Sequence, residues 1–197
     1  MAFPSRIDRS TLGAKTLAVV EAGGFDKWSL RDVAKALGVS PNALYRHVDG
    51  RDDLLVEAAA CATEQLAAEL RRGGLPAEGV DRVVEIAQRY VAFAVHRPHA
   101  YAAIVHVKPE RDDPRGLAWH QLWTQVRAEV VNAIEHSGDA AGFALWALLH
   151  GRIQLARGAA RAAPADAGLA DAVRALLEGH RQNGPAPSPL PEGLRQD

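Results

Sequence analysis

The chain has 197 residues, a formal net charge of −1 and a hydrophobic fraction of 48%, enough apolar material for one compact domain or a small domain joined to a larger one. Alanine supplies much of that fraction while Val, Ile and Thr are sparse, which favours helices over sheets. No apolar run approaches the roughly 20 residues of a membrane span, Met1 to Arg9 lack the apolar stretch of a secretion signal, and the single cysteine, Cys61, excludes an internal disulfide framework, so a cytoplasmic protein is expected.

Taken in chain order, Leu12, Thr16, Val19 and Val20 predict a first helix from Asp8 or Ser10 to about Ala22, stopped by Gly23-Gly24, with Phe25 packing back onto the core. Ser29 is placed to cap a second helix with Asp32 as its acidic partner, and Leu30, Val33, Ala34 and Leu37 form its buried face. Gly38 ends it, Val39 follows, and Ser40-Pro41 opens a short third helix running to about His47. Asp49 or Gly50 breaks that helix, and a long one follows from Arg51 to about Arg72.

Gly73 to Pro76 read as the loop where a second domain takes over. Beyond it a helix is expected from Val80 to Arg97, apolar all round from Tyr90 to Val95 and so central and buried. After Pro98 come a short helix, His99 to His106, and a polar loop, Lys108 to Pro114. The next helix, Arg115 to His136, should bury Trp119, Leu122, Trp123, Val126, Val130 and Ile134. Asp139 is placed to cap a helix from Ala140 to Arg157, and Leu169 to Arg181 forms the last. The proline-bearing tail, 184–197, lacks apolar periodicity and is expected to be disordered. The expected class is therefore all-α: a helix-turn-helix domain over 1–50 that extends into a connecting helix, 51–72, and a second helical domain over 75–183.

The segment Ser29 to Val48 carries the most information. Two short helices meet across the tight Leu37-Gly38-Val39-Ser40 turn, with Ala34 small enough for close approach, which is how a helix-turn-helix reads in sequence. The exposed face of the second helix carries Asn42, which suits adenine, Arg46, which suits guanine, and Ala43, whose methyl can touch thymine. Tyr45 and His47 can donate to phosphates. The charge distribution agrees, since residues 1–51 hold eight basic and five acidic side chains while the remainder is net negative. The competing reading is an ordinary helical hairpin with Tyr45 and His47 as surface groups.

The run Leu44-Tyr45-Arg46-His47-Val48-Asp49-Gly50-Arg51, followed by Leu54-Leu55, resembles the end of the recognition helix in the TetR family of bacterial regulators. The resemblance covers about residues 8–58. It implies that Arg31, Pro41, Asn42, Ala43 and Arg46 meet bases, and that Ser29, Ser40, Tyr45, His47 and Arg51 meet phosphates. Val48 stands where the family usually has an aromatic residue, and Asp49 replaces a more usual basic or polar one, which removes a phosphate contact. Past residue 75 the resemblance weakens. It still implies a helical ligand-binding domain whose last two long helices pair across a two-fold axis as a four-helix dimer interface. Ala140, Ala141, Gly142, Ala147, Gly151 and Ala156 supply small residues for such close approach, and Val173, Leu176 and Leu177 an apolar stripe. The Trp146, His150-Gly151 arrangement looks like one seen in a subset of these domains.

Tyr90, Phe93, His96, Tyr101, Trp119, His120, Trp123, Phe143, Trp146 and His150 concentrate rings in this half. They suit an apolar pocket with a few polar anchors for a hydrophobic or aromatic effector, or else are simply large core side chains. His96 and His99 invite a metal reading, but Pro98 lies between them and no cysteine or paired carboxylate stands near, so no metal is expected. Cys61 reads as a small buried residue. No nucleophile elbow, phosphate loop or zinc-binding helix motif is present, so neither a cofactor nor an enzyme is indicated. The expectation is a homodimeric repressor with recognition helices about 34–36 Å apart on palindromic double-stranded DNA, released by a small effector. The alternative is a non-catalytic helical carrier of small molecules.

Overall fold

The computed structural model of the protein describes residues 7–107, 113–135, 139–158 and 164–183. Within them the helices are α1 (Arg9–Gly23), α2 (Leu30–Leu37), α3 (Pro41–Leu44), α4 (Arg51–Arg71), α5 (Gly79–His96), α6 (Pro98–His106), α7 (Leu117–Ile134), α8 (Asp139–Gly158) and α9 (Leu169–Asn183). A single 3-10 turn, Pro114–Gly116, precedes α7, and there is no strand among the described residues. None of these helices is long and apolar enough to cross a membrane. The chain forms two compact units, residues 1–72 with 93–122 and residues 73–92 with 123–197.

In the first unit α1 begins where the Asp8 carboxylate accepts from the Thr11 amide at 2.8 Å and from the Ser10 and Thr11 hydroxyls at 2.7 Å each. These bonds satisfy amide donors that a helix start leaves open, and they hold the Asp8 carboxyl down to about 2. Leu12, Leu17 and Val20 of α1 are buried, as are Leu54, Ala58, Ala62 and Leu66 of α4. The two helices pack closely at Gly13, where an added Cβ would stand 2.9 Å from the Glu57 carbonyl oxygen and 3.3 Å from the Cys61 Cβ. Only glycine fits there without moving backbone. α6 packs on both α1 and α4, with Ala100, Tyr101 and Ala103 fully buried.

In the second unit α8 packs on α9. Arg82 of α5 pairs with Glu129 of α7 at 2.8 Å, and Arg174 of α9 reaches Asp81 of α5 at 2.5 Å. Gly142 of α8 sits against Arg127 and Trp123. Val173 and Leu177 of α9 are buried and Leu176 is half-buried.

Several sequence expectations need correction. The run from Tyr90 to Val95 is not buried all round, because Ala92 is exposed and Val95 is 53% exposed. Tyr90, Val91, Phe93 and Ala94 take the inward positions, and an unbroken apolar run does not by itself bury every side of a helix. α7 starts at Leu117 rather than Arg115, since Asp113 caps the 3-10 turn by accepting from the Arg115 amide at 2.9 Å. Of its expected core, Leu122, Val130 and Ile134 are buried whereas Trp119, Trp123 and Val126 are half-buried. Asp139 lies within α8 rather than capping it, and its carboxylate pairs with Arg127. His136, the 184–197 tail and most of the 108–114 loop lie outside the described residues.

The α1–α4 crossing generates a direct test. Gly13→Ala gains helix propensity of up to about 1 kcal/mol but overpacks a contact with backbone, which costs about 1–3 kcal/mol. A net loss of about 1–2 kcal/mol is expected, read as a lower urea midpoint with unchanged slope.

Candidate nucleic-acid interface

The helix-turn-helix is assembled from caps as much as from packing. Ser29 and Asp32 form a reciprocal capping box at the start of α2: the Ser29 amide and hydroxyl both donate to the Asp32 carboxylate, at 2.8 and 2.6 Å, and the Asp32 amide donates to the Ser29 hydroxyl oxygen at 3.3 Å. The Ser29 hydroxyl hydrogen bond is the largest cause holding the Asp32 carboxyl below its ordinary range. α2 ends at Gly38, which adopts a left-handed conformation at φ 70°. The next amide, Val39, returns to the Ala34 carbonyl at 3.0 Å, closing the turn in the manner of a glycine C-cap. Ser40 then caps α3, accepting from the Ala43 amide at 3.2 Å, with Pro41 in the first turn.

α3 itself has only four residues, Pro41–Leu44, shorter than the sequence suggests. The chain continues as tighter turns, with Arg46 and His47 amides bonded three residues back to Ala43 and Leu44 at 3.3 and 2.9 Å. Leu44, fully buried, and Val48, 4% exposed, both reach the core, as residues four apart on one helical face do. They join Leu12, Val20, Trp28, Val33, Ala34, Leu54 and Leu55 in one apolar cluster, against which Phe25, Leu30, Leu37 and Val39 also pack. Between those two anchors the chain turns its polar groups outward.

The structure places Asn42, Tyr45, Arg46 and His47 exposed on that stretch, Tyr45 at 58%. Pro41 and Ala43 are half-buried beside them, and Ser29, Arg31 and Ser40 are exposed. The Ser40 capping bond uses an oxygen lone pair and leaves the hydroxyl hydrogen to donate. Ser29 is more committed, since its hydroxyl already donates within the capping box. Arg51 is exposed, yet its guanidinium lies 4.6 Å from the centroid of the Trp28 ring and donates to the Phe25 carbonyl at 3.1 Å. Sequence reasoning passed over Trp28. Its position immediately before the capping Ser29 was the available signal.

Two arginines on either side of α6 bind residues 97–107 and 113–115 to the same unit. Arg97 donates to both Glu21 carboxylate oxygens at 2.8 Å and to Gln65 at 2.5 Å, joining α6 to α1 and α4. Arg115 engages Asp113 at 2.5 Å, Glu57 at 3.3 Å and Asp53. Glu57, which also pairs with Arg9 at 2.9 Å, is pushed up by burial against the pull of both guanidiniums. Arg9, Glu57, Cys61, Glu64, Asp113 and Arg115 contribute to the walls of an open cavity of about 800 Å³. Phe25, at the α1–α2 turn, donates its amide to His99 Nδ1 at 3.4 Å and has its ring 5.7 Å from that of His106.

The residues expected to line an effector pocket fall in both units. Phe93, His96, Tyr101, Trp119 and His120 belong to the first, and Tyr90, Trp123, Phe143, Trp146 and His150 to the second. Tyr90, Phe93 and Tyr101 are buried, Trp119, Trp123, Trp146 and His150 half-buried, and His96, His120 and Phe143 exposed. On α8 the rings of Phe143 and Trp146 are 6.0 Å apart, and Trp146 stacks on His150 at 5.2 Å. The Trp146 indole nitrogen is buried with no hydrogen-bond partner among the described residues.

Comparison with known proteins agrees with this geometry. The model of a family described as bacterial regulatory proteins of the tetR family matches residues 14–58, and that of a tetracyclin repressor-like C-terminal domain matches residues 83–180. An uncharacterised HTH-type transcriptional regulator of Mycobacterium tuberculosis is 26% identical over 158 residues, 79% of this chain and 72% of that protein. A solved structure of a protein of unknown function from Rhodococcus sp. RHA1 matches with a TM-score of 0.71 at 25% identity, over 90% of this chain and 98% of that one. A possible TetR family transcriptional regulator from Streptomyces coelicolor A3(2) gives 0.63 at 19% identity, over 90% and 100%. At the latter identity the likeness speaks for the fold alone.

The capping box makes α2 sensitive to acid. The folded Asp32 carboxyl titrates below its unfolded value, so its contribution is fully present above the ordinary carboxylate pKa of about 4 and is lost as pH falls through the lower folded value. Asp32→Asn should therefore lower the thermal midpoint at pH 7. The gap from wild type should close as the two proteins are compared at successively lower pH.

Proposed function

We propose that this chain, which belongs to the TetR family of bacterial regulatory proteins, acts as a homodimeric repressor that grips a palindromic operator and is released from it by a small-molecule effector. Its function is that of a DNA-binding transcriptional regulator. The observation that carries the operator reading is the alternation at α3: Leu44 and Val48 are driven into the core while Asn42, Tyr45, Arg46 and His47 stand outward. A major groove admits a helix presented in this way.

In that reading Arg31, Pro41, Asn42, Ala43 and Arg46 face base edges, and Ser29, Ser40, Tyr45 and His47 face the phosphate backbone. Asn and Arg offer the paired donors and acceptors that distinguish adenine and guanine, whereas hydroxyl and imidazole donors to phosphates position the protein without reading sequence. Dimerisation through α8 is supported by Phe143 and Leu155, which are 55% and 69% exposed, with exposed Ala147 between them on the same helix. A two-fold axis would then present two recognition helices to successive major grooves.

An effector acts by preferring the conformer with the wrong helix spacing. The ring cluster of α8 supports a hydrophobic or aromatic effector, and the unpartnered Trp146 indole N–H offers it a buried donor. α6, tied to α1 and α4 by Arg97, and the turn at Arg115, tied to α4, are the parts whose displacement would pull on the DNA-binding helices. We read the chain as a non-catalytic protein that works in the cytoplasm.

A gel-shift on the DNA upstream of the chain's own gene, repeated across candidate ligands, tests the reading. Tyr45→Phe should weaken binding to every sequence alike. Asn42→Ala should instead relax base preference, with a loss of discrimination of about 1–3 kcal/mol at one base pair of each half-site. Equal loss on all operator variants would remove Asn42 from base reading, and a dimer that ignores all palindromes in its own upstream region would sink the regulator assignment.

A further inference from the structure

We propose that Arg51 is a positioning residue: it closes the helix-turn-helix into a tied loop through Trp28 and Phe25, and so orients the 41–47 segment without neutralising a DNA phosphate. The inference rests on the DNA-binding reading above and assigns Arg51 a different role from the one the family resemblance implies.

The residues that Arg51 touches lie on the other side of the motif from it. Phe25 and Trp28 precede the Ser29 cap, and Arg51 opens α4 immediately after Gly50, so the contact joins the two ends of the 29–50 segment. Trp28 is 5% exposed and belongs to the apolar cluster that also holds Leu44 and Val48, the two anchors of the recognition segment. Its Cβ packs 3.6 Å from the position that a Cβ on Gly23 would take, so the bare α1 terminus leaves the space it occupies. A planar guanidinium can lie flat on the indole face and still donate in its plane to the Phe25 carbonyl, whereas a lysine ammonium has no plane to stack.

The surroundings of Arg51 suit this role better than phosphate binding. Asp49, Asp52 and Asp53 stand within two residues of it. Asp53 is engaged by Arg115 and by the Asp49 amide, while Asp49 and Asp52 are exposed neighbours of Arg51 in sequence. The stretch 49–53 therefore carries three acids to one arginine, a local charge that disfavours a phosphate. Nor does a cation in the first turn of α4 favour the helix, since the N-terminal end of a helix prefers negative charge. The contact with Trp28 is what the arginine does there.

The test is the salt dependence of operator binding by the full-length protein. For Arg51→Ala, affinity should fall about fivefold per protomer, the strength of one cation–π contact. The slope of log K against log salt should stay as in wild type. A phosphate contact predicts instead a slope shallower by about 0.9 per protomer, and that result overturns the proposal. Arg51→Lys keeps the charge but loses the planar stack, so its affinity should fall below wild type towards that of Arg51→Ala; wild-type affinity for Arg51→Lys also overturns it. In the free protein, both substitutions should shift the Trp28 indole N–H resonance, identified by its absence in Trp28→Phe. An unmoved resonance refutes the latch itself. Failure of the wild-type chain to bind any operator would reject the regulator reading and the positioning role with it, while the resonance would still report the contact.

Discussion

Four residues make barely one turn of helix, far too few to hold a helix by their own hydrogen bonds, so the placement of Pro41–Leu44 depends on what is buried beneath it. Leu44 and Val48 supply that hold by entering the same apolar cluster as Trp28, Val33 and Leu54. The four-residue spacing of these anchors sets which side chains between them face outward. Ser40 and Gly38 fix how the chain enters the turn, and Gly50, at φ 150°, fixes how it leaves towards α4. The polar surface for DNA is thus a consequence of apolar packing. Altering the cluster would tilt Asn42, Tyr45 and Arg46 before any of them was itself changed.

The same unit contains the means by which a distant event could reach that surface. α1 and α4 meet at Gly13 with no room for a Cβ between them, and α6 is joined to both of them by Arg97 and to α4 by the Arg115 cluster beyond its end. These are partly buried, multidentate ion pairs, which hold geometry better than single surface pairs do. Phe25, gripped by His99 and His106 of α6 and by Arg51 of α4, adds a contact at the turn directly before the capping box. The recognition segment is therefore supported from the side that α6 occupies as well as from the core.

The N-terminal half was legible because its signals are local. Ser29 with Asp32, Gly38, and Ser40 with Pro41 each act within four residues, and each cap forms as its spacing requires. The misjudged details were those where distant packing outweighed local pattern. The recognition helix gives way to turns after Leu44 although Val48 still reaches the core, Val95 is exposed although its neighbours in sequence are apolar, and Asp139 pairs with the guanidinium of Arg127 rather than capping. The ring-bearing residues of the C-terminal half were harder still, since helical spacing states that they share a face but not which neighbour covers it.

Caps, glycine stops and the 3.6-residue recurrence of apolar side chains are encoded along a few consecutive positions, so from the sequence alone came an all-helical chain, its order of helices, and the turn-linked pair with Asn42, Tyr45, Arg46 and His47 on its surface. Only the tertiary structure decided the partners of the long side chains. Arg51 could have reached outward, but it lies over Trp28; Arg97 and Arg115 carried no sequence signal and yet fasten α6 and its flank to α1 and α4. A guanidinium reaches several ångströms in many directions at little rotameric preference, and which carboxylate, ring or carbonyl it meets is set by helices that lie tens of residues away.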